Sequence, residues 1–282
     1  ATEFYRAARS GAFHRLAKGV YLPTGTWREL SADDRFRASI HAAARPAHPD
    51  TVLSQMSAAA LWRLPIVGAW PTLPEALNPA ATGGRSRVVL TARSGDEPTA
   101  VELIDGVRVT SLARTLIDVS RTVQLETSVA MLDYAQRDAT RRDSGVTAVR
   151  VSRSELSTEF ALHSSRRGTA RCATALELSD GRSGSPGETL SRVGMHLLAL
   201  PMPILQQRFI DSFGLIGIVD FWWPEFNLIG EFDGFGKYLR EDLRPGQTIA
   251  EVVIAEKKRE DRLRALGPRV TRWDWGIARS LP

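Results

Sequence analysis

The stretch from residue 218 to residue 234 reads IVDFWWPEFNLIGEFDG and decides how the second half of the chain is interpreted. Two apolar, strand-prone runs flank a short turn that contains proline and asparagine, a pattern typical of a β-hairpin. Side chains alternate along a strand, so Glu231 and Asp233 project from one face, and the hairpin brings Asp220 near them. Carboxylates buried this close repel one another unless a proton or a cation lies between them. The stretch therefore predicts a site for a hard divalent ion, Mg²⁺ or Mn²⁺.

The same residues also admit a purely structural interpretation. Asp220 could cap a turn, and Asp233 with Gly234 is an ordinary turn signal. Glu231 could pair with Arg192 or with a lysine. Under this interpretation the acidic residues serve the fold and bind no ion.

Charged segments flank the predicted hairpin on both sides. Upstream, residues 187–200 predict a helix in which Glu188 and Arg192, four positions apart, share one face. Downstream, residues 256–266 predict a charged helix that ends at a glycine, and residues 269–275 predict a strand. The structural alternatives are a surface ion pair in the first helix and a solvated charged face in the second.

In this order of elements, residues 184–275 resemble the PD-(D/E)XK nuclease superfamily, and most closely its branch of very-short-patch-repair endonucleases. Glu188, with Arg192, matches the glutamate of the family's helix. Asp220 matches the family's metal-binding aspartate, and Glu231 matches its second carboxylate. The resemblance implies a restriction-endonuclease-like mixed sheet flanked by helices, and Mg²⁺-dependent hydrolysis of DNA.

The family pattern places a lysine two positions after the second carboxylate, where this chain has Asp233. We expect Asp233 to be a third metal ligand or a turn residue. The positive charge would then come from Lys237, which follows Gly234 and Gly236, or from Lys257 or Lys258 in the charged helix. The predicted catalytic residues are Glu188, Asp220, Glu231 and Lys237, and the predicted metal ligands are Asp220, Glu231 and Asp233.

The chemistry of phosphodiester cleavage explains this choice of residues. Hydrolysis places negative charge on the attacking and leaving oxygens, which a metal ion held by Asp220 and Glu231 would neutralise while it acidifies a water. Glu188 would complete the coordination, directly or through water. A lysine next to that water would orient it and favour hydroxide, since its ammonium is a compact point charge.

The N-terminal segment, residues 2–22, predicts a helix with a glycine stop and then a hairpin that turns near Lys18 and Gly19. A helix followed by a basic hairpin is the end of a winged helix-turn-helix, whose helix enters the major groove and whose wing contacts phosphates. Its first helices are missing, so we expect that Ala1 is not the natural start. The alternative is a small amphipathic unit that packs on the next domain. The predicted DNA contacts are Arg6, Arg9, Arg15 and Lys18.

Two runs in the first half of the chain, residues 13–22 and residues 106–118, are similar to the abortive-infection type IV antitoxin family. The similarity covers about residues 1–150. That family has a winged-helix N-terminus followed by an α/β domain, and its members are transcriptional autorepressors. The resemblance implies that the DNA partner is the operator of a toxin gene.

Composition is compatible with a DNA-binding protein. The chain has 282 residues, 43% of them hydrophobic, and a net charge of +5. Residues 186–282 contain 13 basic and 13 acidic side chains, so the whole basic excess lies in residues 1–185. A basic zone at residues 134–171 could follow a phosphate backbone, or it could be a solvated helical surface.

A single cysteine, Cys172, excludes an internal disulfide and a multi-cysteine zinc site. Without an apolar run near 18 residues or a signal peptide, we expect a cytoplasmic protein with no membrane contact.

The sequence thus predicts a mixed α/β fold in three parts. Residues 1–65 form a partial winged-helix region, residues 66–183 an α/β middle domain and residues 184–282 a nuclease-like domain. The predicted function is a DNA-binding protein with a Mg²⁺-dependent endonuclease domain, in phage defence or DNA repair. The alternative is a non-enzymatic antitoxin, a transcriptional repressor that retains a nuclease-derived fold.

Overall fold

The computed structural model describes the chain except for residues 1, 46, 49, 78–85, 88–89, 94–99, 138–149, 235–247 and 281–282. The fold is mixed α/β, as predicted, and divides into two compact units. Unit 1 comprises residues 1–131 and 145–177, and unit 2 comprises residues 132–144 and 178–282. The predicted boundary at residue 65 therefore lies inside unit 1, and the boundary at residue 183 lies close to the start of the main segment of unit 2. No helix within the described ranges is both long and apolar enough to cross a membrane.

Unit 1 begins with a helix and a two-stranded antiparallel hairpin, as the sequence predicts. These are α1 (Thr2–Arg9), β1 (Phe13–Ala17) and β2 (Val20–Pro23). Phe4 packs the helix against the hairpin, with its ring 5.1 Å from Phe13 and 5.2 Å from Tyr21. Gly19 adopts a φ of 77° in the hairpin turn, a left-handed conformation that glycine reaches without strain.

A six-stranded mixed sheet forms the centre of unit 1, in the order β5-β6-β4-β3-β8-β7. Its strands are β3 (Val52–Leu53), β4 (Glu75–Leu77), β5 (Ser86–Arg87), β6 (Leu90–Arg93), β7 (Val101–Ile104) and β8 (Val107–Thr110). The core on this sheet includes Phe36, Ile40, Leu53 and Val109, all buried. Because β3 and β8 pair in parallel through Leu53 and Val109, residues on both sides of position 65 share one sheet.

Helices complete unit 1: α2 (Thr24–Glu29), α3 (Ala32–Ala44), α4 (Gln55–Leu61), α5 (Leu112–Ser120), α6 (Leu125–Gln136), α7 (Arg153–Leu162) and α8 (Thr169–Leu178). The ends of α6 and α8 belong to unit 2. Ser31 begins α3 as its N-cap, since its hydroxyl accepts from the amide of Asp34. Arg114 and Asp118, four residues apart in α5, form an ion pair with Nε and Oδ2 2.7 Å apart, and both side chains are buried.

Unit 2 has a four-stranded sheet in the order β12-β11-β10-β9. Its elements are α9 (Pro186–Leu197), β9 (Ile204–Asp211), β10 (Gly214–Trp223), a 3₁₀ turn (Pro224–Phe226), β11 (Leu228–Phe232), α10 (Ile249–Ala265), β12 (Arg269–Trp273) and α11 (Trp275–Arg279). Strands β9, β10 and β11 are successive antiparallel neighbours, while β11 and β12 run parallel. The predicted hairpin and the helices on either side of it are confirmed.

Local sequence explains why these elements begin and end where they do. Asn227 follows the 3₁₀ turn with a φ of 45°, a left-handed conformation that asparagine tolerates. Thr248 and Glu251 form a capping box that begins α10. Gly267, with a φ of 107°, ends the helix as the sequence predicts. Leu263 on α10 packs with Ile229 of β11, which places the helix over the sheet.

Gly187, in the first turn of α9, lies against the ring of Phe232 in β11. A Cβ atom built there would meet ring atoms of Phe232 at 2.0 to 2.7 Å. Phe232 is 4% exposed and cannot turn away into solvent. The glycine is therefore required by close packing.

We expect Gly187→Ala to lower the free energy of unfolding of unit 2 by about 1–3 kcal/mol, because overpacking forces Phe232 out of its site. Urea denaturation followed by tryptophan fluorescence measures the change. Gly234→Ala is the matched control, since its Cβ would lie 3.9 Å from the nearest atom, an ordinary contact. Equal midpoints for the two variants would contradict the packing argument.

Candidate functional site

Glu188 and Asp220 share one hydrogen-bond donor at the edge of the sheet in unit 2. The amide Nε2 of Gln206 donates to Glu188 Oε2 at 2.9 Å and to Asp220 Oδ1 at 3.2 Å. The backbone amide of Phe232 donates to Asp220 Oδ2 at 2.9 Å. The carboxylates of α9 and β10 are thus brought together through a side chain of β9.

The start of α9 fixes the orientation of Glu188. The backbone amide of Gly184 donates to its Oε2 at 2.7 Å, and the hydroxyl of Ser185 donates to its Oε1 at 2.9 Å. Ser185 is also the N-cap of the helix. The donors to Glu188 within the described chain are a backbone amide and two neutral side chains, so its negative charge has no cationic partner there.

Burial and a like charge act together on Glu188. Desolvation, followed by the negative charge of Asp220, raises the pKa of the Glu188 carboxyl to about 7. Its hydrogen bonds oppose this shift without cancelling it. Near neutral pH the pair therefore favours a bound proton or cation.

Gln206 reaches both carboxylates from a strained backbone. Its φ of 55° lies in the left-handed region, which a residue other than glycine rarely adopts inside a strand. Such a conformation costs on the order of 1–3 kcal/mol and persists where the surrounding structure enforces it, which is most common at functional sites.

Glu231 has different partners from Glu188 and Asp220. Its Oε1 accepts from Arg259 Nη2 at 2.7 Å, and its Oε2 lies 3.2 Å from both Arg259 Nη1 and Arg272 Nη2. Only 3% of the Glu231 side chain is exposed, so its charge is neutralised in the interior by this arginine pair. The alternative in which Glu231 pairs with Arg192 or a lysine is therefore wrong about the partner, although Glu231 does form ion pairs.

The arginine pair is itself surrounded by acids. Arg272 contacts Glu256 at 2.5 Å, Glu260 at 3.2 Å and Asp233 at 3.4 Å. Burial lowers the pKa of Arg272, but the hydrogen bond to Glu256 and the nearby negative charges outweigh it and raise the pKa overall. Arg272 thus stays charged and joins β12 to α10 and β11.

The predicted lysines do not contact Glu231 in the described part of the chain. Lys237 lies outside the described residues, so its predicted role stays a prediction. Lys257 and Lys258 are exposed on α10, as expected for a solvated face. The neighbouring residue, Arg259, provides the cation next to the second carboxylate.

The described residues contain no group of three or more histidine, cysteine, aspartate or glutamate side chains arranged to hold a metal ion. Glu188 and Asp220 form a pair, while Glu231 and Asp233 both contact Arg272. The donor chemistry of the pair still fits Mg²⁺, which commonly binds through one or two carboxylates and completes its shell with water and substrate phosphate oxygens.

Arg192 is directed away from Glu188. Its guanidinium donates to Asp133 Oδ2 at 2.5 Å and to the carbonyl of Leu178, and both charged side chains are buried. The surface ion pair between Glu188 and Arg192 that spacing suggested is therefore wrong. Arg192 neutralises an acid near the end of α6, a partner too distant in sequence to predict from helical spacing.

In unit 1, the four predicted DNA contacts lie on the helix–hairpin region and are exposed. Arg6 and Arg9 lie on α1, while Arg15 and Lys18 lie on and after β1. The Arg15 guanidinium donates to the carbonyl of Ala17 at 3.3 Å. Their exposure is what a contact with phosphate requires, and their function remains a prediction.

Three residues of the unit 2 site were not predicted: Gln206, Arg259 and Arg272. The helical spacing did contain a signal for Arg259, since it lies four positions before the buried Leu263 and hence on the inner face of α10. Arg272 lies opposite Glu231 in the parallel register of β11 and β12, which depends on the assembled sheet. The sequence contains no comparable signal for Gln206.

Comparison with known proteins gives relatives but no family. No family model matches the chain. It is 29% identical over 172 residues to two proteins of Mycobacterium tuberculosis, "Uncharacterized protein MT2308" of strain CDC 1551 / Oshkosh and "Uncharacterized protein Rv2248" of strain H37Rv. The alignment covers 57% of this chain and 60% of the length of each relative.

We expect Glu188 to make unit 2 less stable as pH rises from about 4.5 to about 7. The native state keeps a proton on this carboxyl that the unfolded chain releases, because the native pKa is raised to about 7 from the ordinary 4.5. The loss is on the order of 3 kcal/mol in the free energy of unfolding.

Denaturation in EDTA at pH 5 and pH 7.5, for wild type and Glu188→Gln, measures this effect. The variant should lose less stability than wild type over the interval. Asp133, whose pKa is raised by burial, contributes equally to both proteins and cancels in the comparison. An identical loss in both would show that Glu188 is already ionised at pH 5.

Proposed function

We propose that the chain is a DNA-binding protein whose unit 2 carries a Mg²⁺-dependent endonuclease site. One observation carries the proposal: Glu188 and Asp220 are brought together by Gln206, and Glu188 has no cationic partner in the described chain. A buried carboxylate next to a second, half-buried carboxylate favours a bound proton or cation.

The arrangement of the surrounding elements supports a nuclease. Unit 2 has the order helix, three antiparallel strands, helix and parallel strand. This order is the one on which the resemblance to the PD-(D/E)XK superfamily rests. Glu188 lies on the first helix, Asp220 on the second strand and Glu231 on the third, where the resemblance expects acids.

The residues of the site would have different roles. Glu188 and Asp220 would hold Mg²⁺ or Mn²⁺, while Gln206 and the Phe232 amide orient the two carboxylates. Such an ion would neutralise charge on the scissile phosphate and acidify a water. The arginine pair neutralises Glu231, so Glu188 and Asp220 are the carboxylates that we propose for the ion.

Unit 1 would supply the affinity for DNA. The exposed basic residues Arg6, Arg9, Arg15 and Lys18 lie on a helix and hairpin of the kind that contact a groove and the phosphates. The operator of a toxin gene is the DNA partner that the antitoxin resemblance suggests.

We expect the wild-type protein to nick or linearise supercoiled DNA in Mg²⁺ or Mn²⁺ and to be inactive in EDTA. Asp220→Asn and Glu188→Gln should each lower the cleavage rate at least about a hundredfold, because each removes a charge that acts on the transition state. Glu225→Gln removes an exposed acid of the same unit and should retain the wild-type rate.

Calorimetry with Mn²⁺ and no DNA tests the ion separately from the reaction. Wild type should give a saturable heat that is lost in Asp220→Asn. Equal heats for the two proteins would remove these carboxylates from the metal site, whatever the cleavage assay shows.

A second function is favoured by the arginine pair. Both oxygens of Glu231 are engaged by Arg259 and Arg272, which leaves the second carboxylate of the nuclease pattern unavailable to an ion in this arrangement. A non-enzymatic repressor that retains a nuclease-derived fold would tolerate this. Sequence-selective binding to the DNA upstream of its own gene, with no cleavage under any metal condition, would establish this second function. Absence of both binding and cleavage would contradict the two together.

We expect DNA affinity to fall steeply with salt and to depend on unit 1. Each phosphate neutralised contributes about −0.9 to the slope of log K against log salt. Converting Arg6, Arg9, Arg15 and Lys18 singly to glutamine should reduce the slope by up to that amount each. The control is Lys257→Gln with Lys258→Gln, both exposed in unit 2. Fluorescence anisotropy at several salt concentrations measures the slopes, and a larger change in the control would place the DNA contacts in unit 2.

A further inference from the structure

Unit 1 contains a cavity of about 690 Å³ beneath the N-terminal hairpin. Its walls come from four places: the hairpin β1–β2, the C-terminal half of α3, the segment that leads into β3, and the turn between β7 and β8. The volume lies within the range of about 300–1,000 Å³ typical of small-molecule sites. None of the predicted DNA contacts and none of the acidic residues of unit 2 lines it.

Two arginines and two histidines line the cavity. His41 and Arg45 lie four residues apart at the end of α3, and His48 and Arg108 approach from the two other segments. Within the described chain, the side chains of His41 and Arg45 make no hydrogen bond or ion pair. Arg108 and His48 are both held by Asp50, at 3.0 Å and 3.5 Å. Two polar groups thus line the cavity with their donor capacity unused.

Much of the remaining lining is apolar, and we call it the apolar wall. It is formed by side chains of the hairpin, α3, β3 and β8, and includes Leu16, Val20, Leu22, Ala38, Leu53 and Val107. Tyr21 adds an aromatic ring, which is held by an edge contact with Phe4. A ligand that fills this space must therefore combine an anionic group with an apolar or aromatic body.

The turn between β7 and β8 gives the cavity a rigid rim. Asp105 and Gly106 have φ angles of 49° and 77°, the pair of left-handed residues that a type I′ hairpin turn requires. Asp105 is the only acid among the residues that line the cavity, against two arginines and two histidines. Because Asp50 already engages Arg108 and His48, the groups that remain available to an anion are the side chains of Arg45 and His41.

We propose that this cavity binds a phosphomonoester of mononucleotide size, with its phosphate at His41 and Arg45 and its base and sugar against the apolar wall. Arginine suits the phosphate because its planar group donates two parallel hydrogen bonds. Cations at the end of a helix also interact favourably with its dipole, which accounts for the position of His41 and Arg45 but not for the cavity they face. The volume exceeds what an inorganic phosphate fills, so the body of the ligand contributes to binding.

Isothermal titration of the full chain with AMP, GMP, CMP and UMP tests the proposal. Inorganic phosphate and adenosine, titrated separately, distinguish binding of the phosphate alone from binding of the base and sugar alone. At least one mononucleotide should bind saturably and more tightly than either fragment. Arg45→Met should weaken that binding about tenfold or more, because it removes a charge-assisted hydrogen bond.

Two further variants make the test independent of folding. Arg28→Met, which removes an exposed arginine of unit 1 that does not line the cavity, should bind like wild type. Ala38→Phe adds bulk at the apolar wall without changing charge and should weaken binding as well. Circular dichroism checks that each variant is folded. Equal affinity in wild type and Arg45→Met would overturn the proposal, as would saturable binding of none of the four mononucleotides. Loss of duplex DNA binding in Arg45→Met, without mononucleotide binding, would assign Arg45 to a DNA contact instead.

Discussion

The interior charge of Glu231 is the constraint on which the architecture of unit 2 depends. A carboxylate with 3% of its side chain exposed is stable as an ion only if cations are brought to it, and here they come from α10 and β12. The ion pairs with Arg259 and Arg272 therefore join three elements that sequence separates. Removing one member of such a buried group typically costs about 3–5 kcal/mol, because a charge remains without a partner.

Buried arginine–carboxylate ion pairs also occur elsewhere in the chain. In unit 1, Arg114 is buried between Asp118 and His163, and His163 in turn contacts Glu159 at 2.9 Å. In unit 2, Arg192 is buried against Asp133. In each case an arginine supplies several donors in one plane, which a lysine could not do. The consequence is a set of helices whose relative positions within each unit are specified by charge as well as by apolar packing.

Local patterns in the sequence predicted the elements of unit 2 but not the pairing of their side chains. The strands around Asp220 and Glu231 are predictable from sequence because apolar residues flank a turn with proline and asparagine. The helix α10 is predictable because Gly267 ends it. The partner of Glu231 could not be predicted from sequence. Arg272 lies opposite it because β11 and β12 pair in parallel, although a helix separates these strands in the chain. The predicted partner of Arg192 was wrong for the same reason, because its actual partner, Asp133, lies far away in the sequence.

Tertiary pairing also overrode composition in unit 1. Residues 68–84 are rich in proline, glycine and alanine and predict a loop, yet residues 75–77 form β4 between β3 and β6. Glu75 is buried there and accepts a hydrogen bond from the Met56 amide at 3.1 Å. This tertiary contact favours the strand, and residue propensities cannot predict it. The role of Gln206 could not be predicted from sequence either, since a left-handed backbone conformation within a strand is a property of the folded sheet.

Gln206 gives the chain an evolutionary marker. Glycine would adopt its backbone conformation without strain, so selection for stability alone would favour glycine at this position. Glycine could not make the two hydrogen bonds by which the Gln206 amide joins Glu188 to Asp220. Descendants of this chain that lost the need for the paired carboxylates would be free to relax at position 206, and the identity of that one residue would then separate lineages that kept the site from those that kept only the fold.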